Sequence, residues 1–73
     1  MPVSTLEGGF GERLRLLRLR QALSQKDLAR KARVEESTIV YLEADARQPR
    51  VSTIRKLARA LGAAVTDLTT PVP

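Results

Sequence analysis

A chain of 73 residues holds one small domain, and a core of that size is marginal without tight helix packing or pairing of subunits. The absence of Cys and His removes disulfides, thiolate chemistry, an ordinary zinc site and an imidazole base, so no metal or cofactor is expected. A net charge of +5 and a pI near 10.8 favour a polyanionic partner, nucleic acid or a membrane surface, with a merely well-solvated surface as the alternative.

Met1 to Gly9 has no hydrophobic period, and Gly8-Gly9 marks it as a flexible lead-in over 1–9. From Phe10 to Gln21, the residues Phe10, Leu14, Leu17 and Gln21 share one helical stripe, with Arg13, Arg15, Arg18 and Arg20 around it. Leu14 and Leu17 are expected in the core. Leu16 and Leu19 lie off the stripe, either as ordinary exposed side chains or as a contact with a second subunit. Ala22-Leu23 is a link, with Leu23 buried under the start of the next helix.

Ser24 to Glu43 reads as two short helices joined by a tight turn. Ser24 can cap the first helix, and Asp27 sits three residues on, as a capping box requires. Leu28, Ala29 and Ala32 give one apolar face. The turn is Arg33-Val34-Glu35, with Val34 plugging the corner. The second helix starts near Glu36 and turns Ile39 and Leu42 inward, while Ala29 is small enough to let the pair cross closely. Its outward positions are Glu35, Glu36, Ser37, Val40 and Tyr41.

Ala44 to Arg50 is a loop, and Pro49 marks the boundary before the next helix. Val51, Ile54, Leu57, Ala58 and Leu61 form an amphipathic face, and Gly62 suits the left-handed C-terminal cap. Val65 and Leu68 belong to a last short helix, followed by a tail over 70–73 whose prolines cannot continue it. The core is therefore built from Leu, Ile, Val and Ala, since the chain has one Phe, one Tyr and no Trp. There is no internal repeat and no linker long enough to separate a pair of domains. No membrane span or signal-peptide core appears, which leaves a cytoplasmic protein as the expectation. Ser24, Ser37 and Ser52 have no His to activate them, no carboxylate pair or phosphate loop stands out, and no catalytic residue is expected.

Gln25 first, Ala29 fifth, Val34 tenth, Ile39 fifteenth and Leu42 eighteenth resemble the helix-turn-helix of the Cro/C1-type (XRE) family of DNA-binding repressors. FGERLRLLR is similar to that family's first helix, QPRVSTIRKLARALGA to its fourth and VTDL to its fifth, so the likeness runs over positions 10–69. The resemblance implies an all-α, compact five-helix lambda-repressor-like DNA-binding domain. It also implies a homodimeric transcriptional regulator, chiefly a repressor, on a pseudo-palindromic double-stranded operator. A protein-interaction module on the same scaffold, an antitoxin or adaptor, is the other reading. No small-molecule effector is evident.

On this resemblance the second helix of the motif enters the major groove. It puts Glu36, Ser37 and Tyr41 at base or backbone contacts in the groove, and the outward Glu35 and Val40 join them as base-contact candidates. Gln25, Lys26 and Arg30, and the loop residues Arg47, Gln48 and Arg50, fall to phosphates. It further implies an Arg18–Glu43 pair tying the first helix to the third, and pairing of subunits around Val65 and Leu68. The chain also departs from the family at several positions. Arg33 and Asp45 stand where Gly is frequent, and a left-handed Arg costs roughly 1–2 kcal/mol. Arg50 and Ala64 replace usual N-caps, so the last two helices should fray. Glu35-Glu36 brings two acids toward a polyanion, where they can accept from cytosine N4 or mark a protein partner.

Overall fold

The computed structural model describes residues 9–69, and five helices account for most of them, with no strand among the described residues. The lead-in over 1–8 and the tail over 70–73 lie outside the described residues. Gly9 is not part of a loose lead-in. Its extended backbone caps α1, Phe10–Arg20, on which Gly11, Leu14 and Arg18 are buried.

Helix α1 ends sooner than its stripe suggested. Gln21 leaves the helix, is exposed, and donates from Nε2 to the Leu61 carbonyl at 2.5 Å. Ala22 takes a left-handed φ of 56°, which lets its N–H and that of Leu23 close on the Leu19 and Arg18 carbonyls. Leu17 and Leu23 are half-buried at the core's edge, while Leu16 and Leu19 are 44% and 48% exposed.

Helix α2, Gln25–Ala32, begins as its sequence requires. The Asp27 N–H donates to the Ser24 hydroxyl at 2.9 Å, and the Ser24 N–H donates to the Asp27 carboxylate at 3.1 Å. The backbone bond from Ser24, and then its hydroxyl, hold the Asp27 carboxyl below its usual range. A depressed carboxyl stabilises the fold above its unfolded pKa, so this cap weakens as pH falls through the carboxylate range. The helix stops at Arg33, whose left-handed φ of 62° returns its N–H to the Arg30 carbonyl. Arg33→Gly removes the strain of a left-handed side chain but loosens the unfolded chain by about 0.4–1 kcal/mol. The net expectation is a gain of about 0.5–1 kcal/mol, read as a higher melting temperature. An unchanged or lower one would show that the Arg33 side chain contributes more than its backbone costs.

Helix α3, Glu36–Glu43, buries Ile39 and Leu42. Helix α4, Val51–Leu61, buries Leu57, Ala58, Ala60 and Leu61 and ends on Gly62 at φ 65°. Val51 departs from its expected place on the apolar face and is 63% exposed. Helical side chains lean toward the N-terminus, and Val51 is the first residue of α4, so it leans past the helix end. Arg50 gives no side-chain cap, as expected. Ala64 is better served than its identity implied. Asp67, three residues on in α5, Val65–Thr69, accepts the Ala64 N–H at 2.9 Å.

Every helix sends one or two fully buried residues to a common centre: Leu14, Leu28, Ile39, Leu42, Leu57 and Leu68. Each such side chain is worth roughly 1.5–3 kcal/mol of burial. Helix α2 packs on α3 and α4, α1 on α3 and α5, and α5 closes against α4. Buried Ala29 allows α2 and α3 to cross closely, and Val34 packs half-buried at their corner.

Candidate nucleic-acid interface

The outward side of α3 presents Glu36, Ser37, Val40 and Tyr41 to solvent, with Glu35 exposed at its N-cap. Glu35 offers its carbonyl to the Thr38 N–H, but its side chain makes no capping bond. Its carboxylate is therefore not consumed in starting the helix. Tyr41 has a second role that sequence did not show. The Arg47 guanidinium lies 4.6 Å from its ring centroid, so one ring face serves as a platform for the cation.

The loop carrying Arg47 is pinned at its N-terminal end. Asp45, at φ 56°, returns its N–H to Leu42, and the Ala46 N–H closes on the Tyr41 carbonyl at 2.9 Å. The Asp45 carboxylate accepts the Gly11 N–H at 3.0 Å and so ties the loop to α1. Beyond it, Arg47, Gln48 and Arg50 line a cleft of about 310 Å³ together with Thr38, Leu42, Pro49 and Thr53. Helix α4 begins beside this cleft and has no side-chain cap. An uncapped helix start beside two Arg and two Thr side chains is the kind of place that favours an anion. Thr38 and Thr53 were not foreseen. Only the helix geometry brings them to the loop.

Arg18 and Glu43 do pair. Glu43 accepts from Arg18 Nε at 2.6 Å and from Nη2 at 2.9 Å, while Nη1 reaches the Leu23 carbonyl at 2.8 Å. Their side chains are 10% and 5% exposed. The hydrogen bond to Glu43 raises the Arg18 pKa above its ordinary value, against the opposing cost of burial. Gln25 joins them, donating from Nε2 to Glu43 at 3.1 Å. Its amide nitrogen is thus directed inward, toward α3, rather than out to solvent. Lys26 and Arg30 are exposed on α2 and do not line the loop cleft. Of the expected subunit contacts, Val65 is 41% exposed, but Leu68 is fully buried in the chain's own core. A side chain already enclosed by its own helices has no area to give a second copy, so Leu68 is a core residue.

The Tyr41–Arg47 stack sets up one test. An exposed cation–π contact is worth about 0.5–1 kcal/mol. Tyr41→Leu should therefore weaken duplex binding about threefold to fivefold through loss of Arg47 order, and Tyr41→Phe should keep most of it. Equal losses in both variants would assign the effect to the hydroxyl instead.

Among the described residues no cluster of His, Cys, Asp or Glu could hold a metal, and no helix is long and apolar enough to cross a membrane. No curated protein sequence matches the chain. Two solved structures resemble it closely. A hypothetical transcription factor, NHTF, from Neisseria superposes with a TM-score of 0.81 at 31% identity, over 85% of this chain and 71% of that one. The restriction-modification controller protein C.AhdI from Aeromonas hydrophila gives 0.81 at 35% identity, over 89% and 97% of the two chains. A helix-turn-helix domain model matches residues 10–70. With α2 and α3 as the crossed pair and three helices bracing them, the chain belongs to the helix-turn-helix family of DNA-binding transcription regulators, in its Cro/C1-type (XRE) form.

Proposed function

We propose that this protein binds double-stranded DNA sequence-specifically as a homodimer on a pseudo-palindromic operator, chiefly to repress transcription. The observation that carries this is a shared face. The outward side of α3 lies beside the cleft of Arg47, Gln48 and Arg50 at the uncapped start of α4. Phosphates held at that cleft fix orientation, and Glu35, Glu36, Ser37, Val40 and Tyr41 read bases. An eight-residue α3 is short and reads only a few base pairs. Two copies reading half-sites about 34 Å apart supply the missing specificity. Val65, or the exposed pair Leu16 and Leu19, joins them. The likeness to a transcription factor and to a controller protein supports a regulatory role.

Selection from a random duplex library, followed by sedimentation, tests this. A two-fold symmetric site bound by two chains is expected. Arg47→Ala should weaken all sequences almost equally and lower the salt slope by about one ion. Glu36→Gln should strengthen binding to random duplex, weaken binding to the selected site, and erode a preference for C at one position of each half-site. One chain on an asymmetric site would overturn the dimer. No salt-dependent duplex binding at all would leave the same face to a protein partner, as in an antitoxin or adaptor.

A further inference from the structure

The C-terminal halves of α2 and α4 form a second charged surface. An open groove of about 750 Å³ is lined by Lys31, Ala32, Arg33, Lys56, Arg59 and Ala60. Ala32 and Ala60 are buried and make a shallow, small-residue floor, while the cations around it are exposed. Among the described residues none of these cations enters an ion pair. Helix C-termini favour cations nearby, which accounts for Lys31 and Arg59. The dipole reaches Arg33 too, the C-cap of α2, but not Lys56, midway along α4, and Arg33 keeps a left-handed backbone that Gly would adopt without strain. Like charges gathered without partners repel one another, which offsets part of what the helix ends contribute.

We propose that this groove docks an acidic segment of a partner protein, with carboxylates on Lys31, Arg33, Lys56 and Arg59 and a small side chain over the two alanines. Guanidinium groups grip carboxylates in paired hydrogen bonds, and two line the groove. The groove is too open to enclose a small molecule, which pocket sites bury almost completely. It has no aromatic platform for a base, since Phe10 and Tyr41 lie elsewhere. Position separates it from the loop cleft. At 1.5 Å per residue, Lys56 and Arg59 stand roughly 8 and 12 Å along α4 from Val51, and Lys31 roughly 9 Å along α2 from Gln25. A duplex seated on the N-terminal ends leaves the groove open. Only this simultaneous occupation rests on the proposed DNA face; the charge of the groove does not.

The test uses the full chain and a fluorescent peptide of alternating Glu and Ala, followed by anisotropy with and without saturating random duplex. The peptide should bind, and K56E/R59E should weaken it about tenfold, whereas R47A/R50A should change it less than about twofold. Saturating duplex should not displace it. Arg33→Gly, which should melt higher, should still lose peptide affinity several-fold, so the loss cannot be blamed on unfolding. Peptide binding through Lys56 and Arg59 in a protein that binds no duplex would sustain the groove while removing the DNA face. Peptide lost equally in R47A/R50A, or displaced by duplex, would overturn the proposal, because the peptide would be sitting at the loop cleft. Duplex affinity lost about tenfold in K56E/R59E would overturn it too, making the groove a second nucleic-acid surface.

Discussion

Glu43→Ala should cost roughly 3–5 kcal/mol of stability, the range for breaking a buried ion pair from one side. That is a large share of the roughly 5–15 kcal/mol that holds a small domain together. The magnitude follows from what remains behind. Arg18 is 8% exposed and would keep its charge, with only the Leu23 carbonyl left as an acceptor. Gln25 would lose its acceptor as well. Three helices meet at this carboxylate, so α1 and α2 would both loosen from the end of α3. Duplex affinity should then fall along with stability, because the angle of α3 is no longer fixed. Arg18→Met with Glu43→Leu should cost less than the two single changes summed, since an apolar pair leaves no charge stranded. A thermal-melt cycle checks this. Strict additivity would mean that the 2.6 Å bond carries no coupling.

What the sequence disclosed, and what it hid, divides by range. The helices are local objects. Apolar residues at helical spacing, Ser24 with Asp27, and Gly62 name their own turns, and apart from the helix ends at Gln21 and Val51 they appear where the pattern put them. Leu28, Ile39 and Leu57 were legible as core for the same reason. The Arg18–Glu43 pair spans 25 residues and carries no local mark; only family likeness pointed to it. The Tyr41–Arg47 stack and the groove between α2 and α4 depend on how helices cross and loops fold back, which spacing along one helix does not encode. Leu68 shows the opposite error. Family likeness suggested a subunit contact there, but α5 folds back onto α1 and α4 and seals it in. Charge was the weakest guide. A net +5 says that a polyanion is welcome, but not that Arg47 and Arg50 gather at one cleft while Lys31, Arg33, Lys56 and Arg59 gather at another.

Gly11→Ala carries the second large expected effect, and its sign is not obvious from sequence. Inside a helix, Ala is worth about 1 kcal/mol more than Gly by propensity. An exposed site would therefore gain. Here a Cβ would lie 2.5 Å from the Leu42 carbonyl oxygen, 2.6 Å from that of Glu43 and 2.9 Å from Asp45 Oδ1. The first two are backbone atoms at the end of α3 and cannot rotate away. Either α1 shifts outward or the end of α3 moves, and both disturb the Gly11–Asp45 bond and the neighbouring Arg18–Glu43 pair. Overpacking of this kind costs about 1–3 kcal/mol, and a rigid backbone puts it at the upper end. The net expectation is a loss of about 2 kcal/mol after the propensity gain. Asp45→Ala separates crowding from hydrogen bonding. It removes the side chain that receives the Gly11 N–H but leaves the carbonyls in place, so it should cost about 1 kcal/mol. In that background Gly11→Ala should still be destabilising, because the 2.5 and 2.6 Å approaches persist. If Gly11→Ala raised the melting temperature in either background, the close seat of α1 on the end of α3 would be wrong, and with it the route by which α1 holds the loop bearing Arg47.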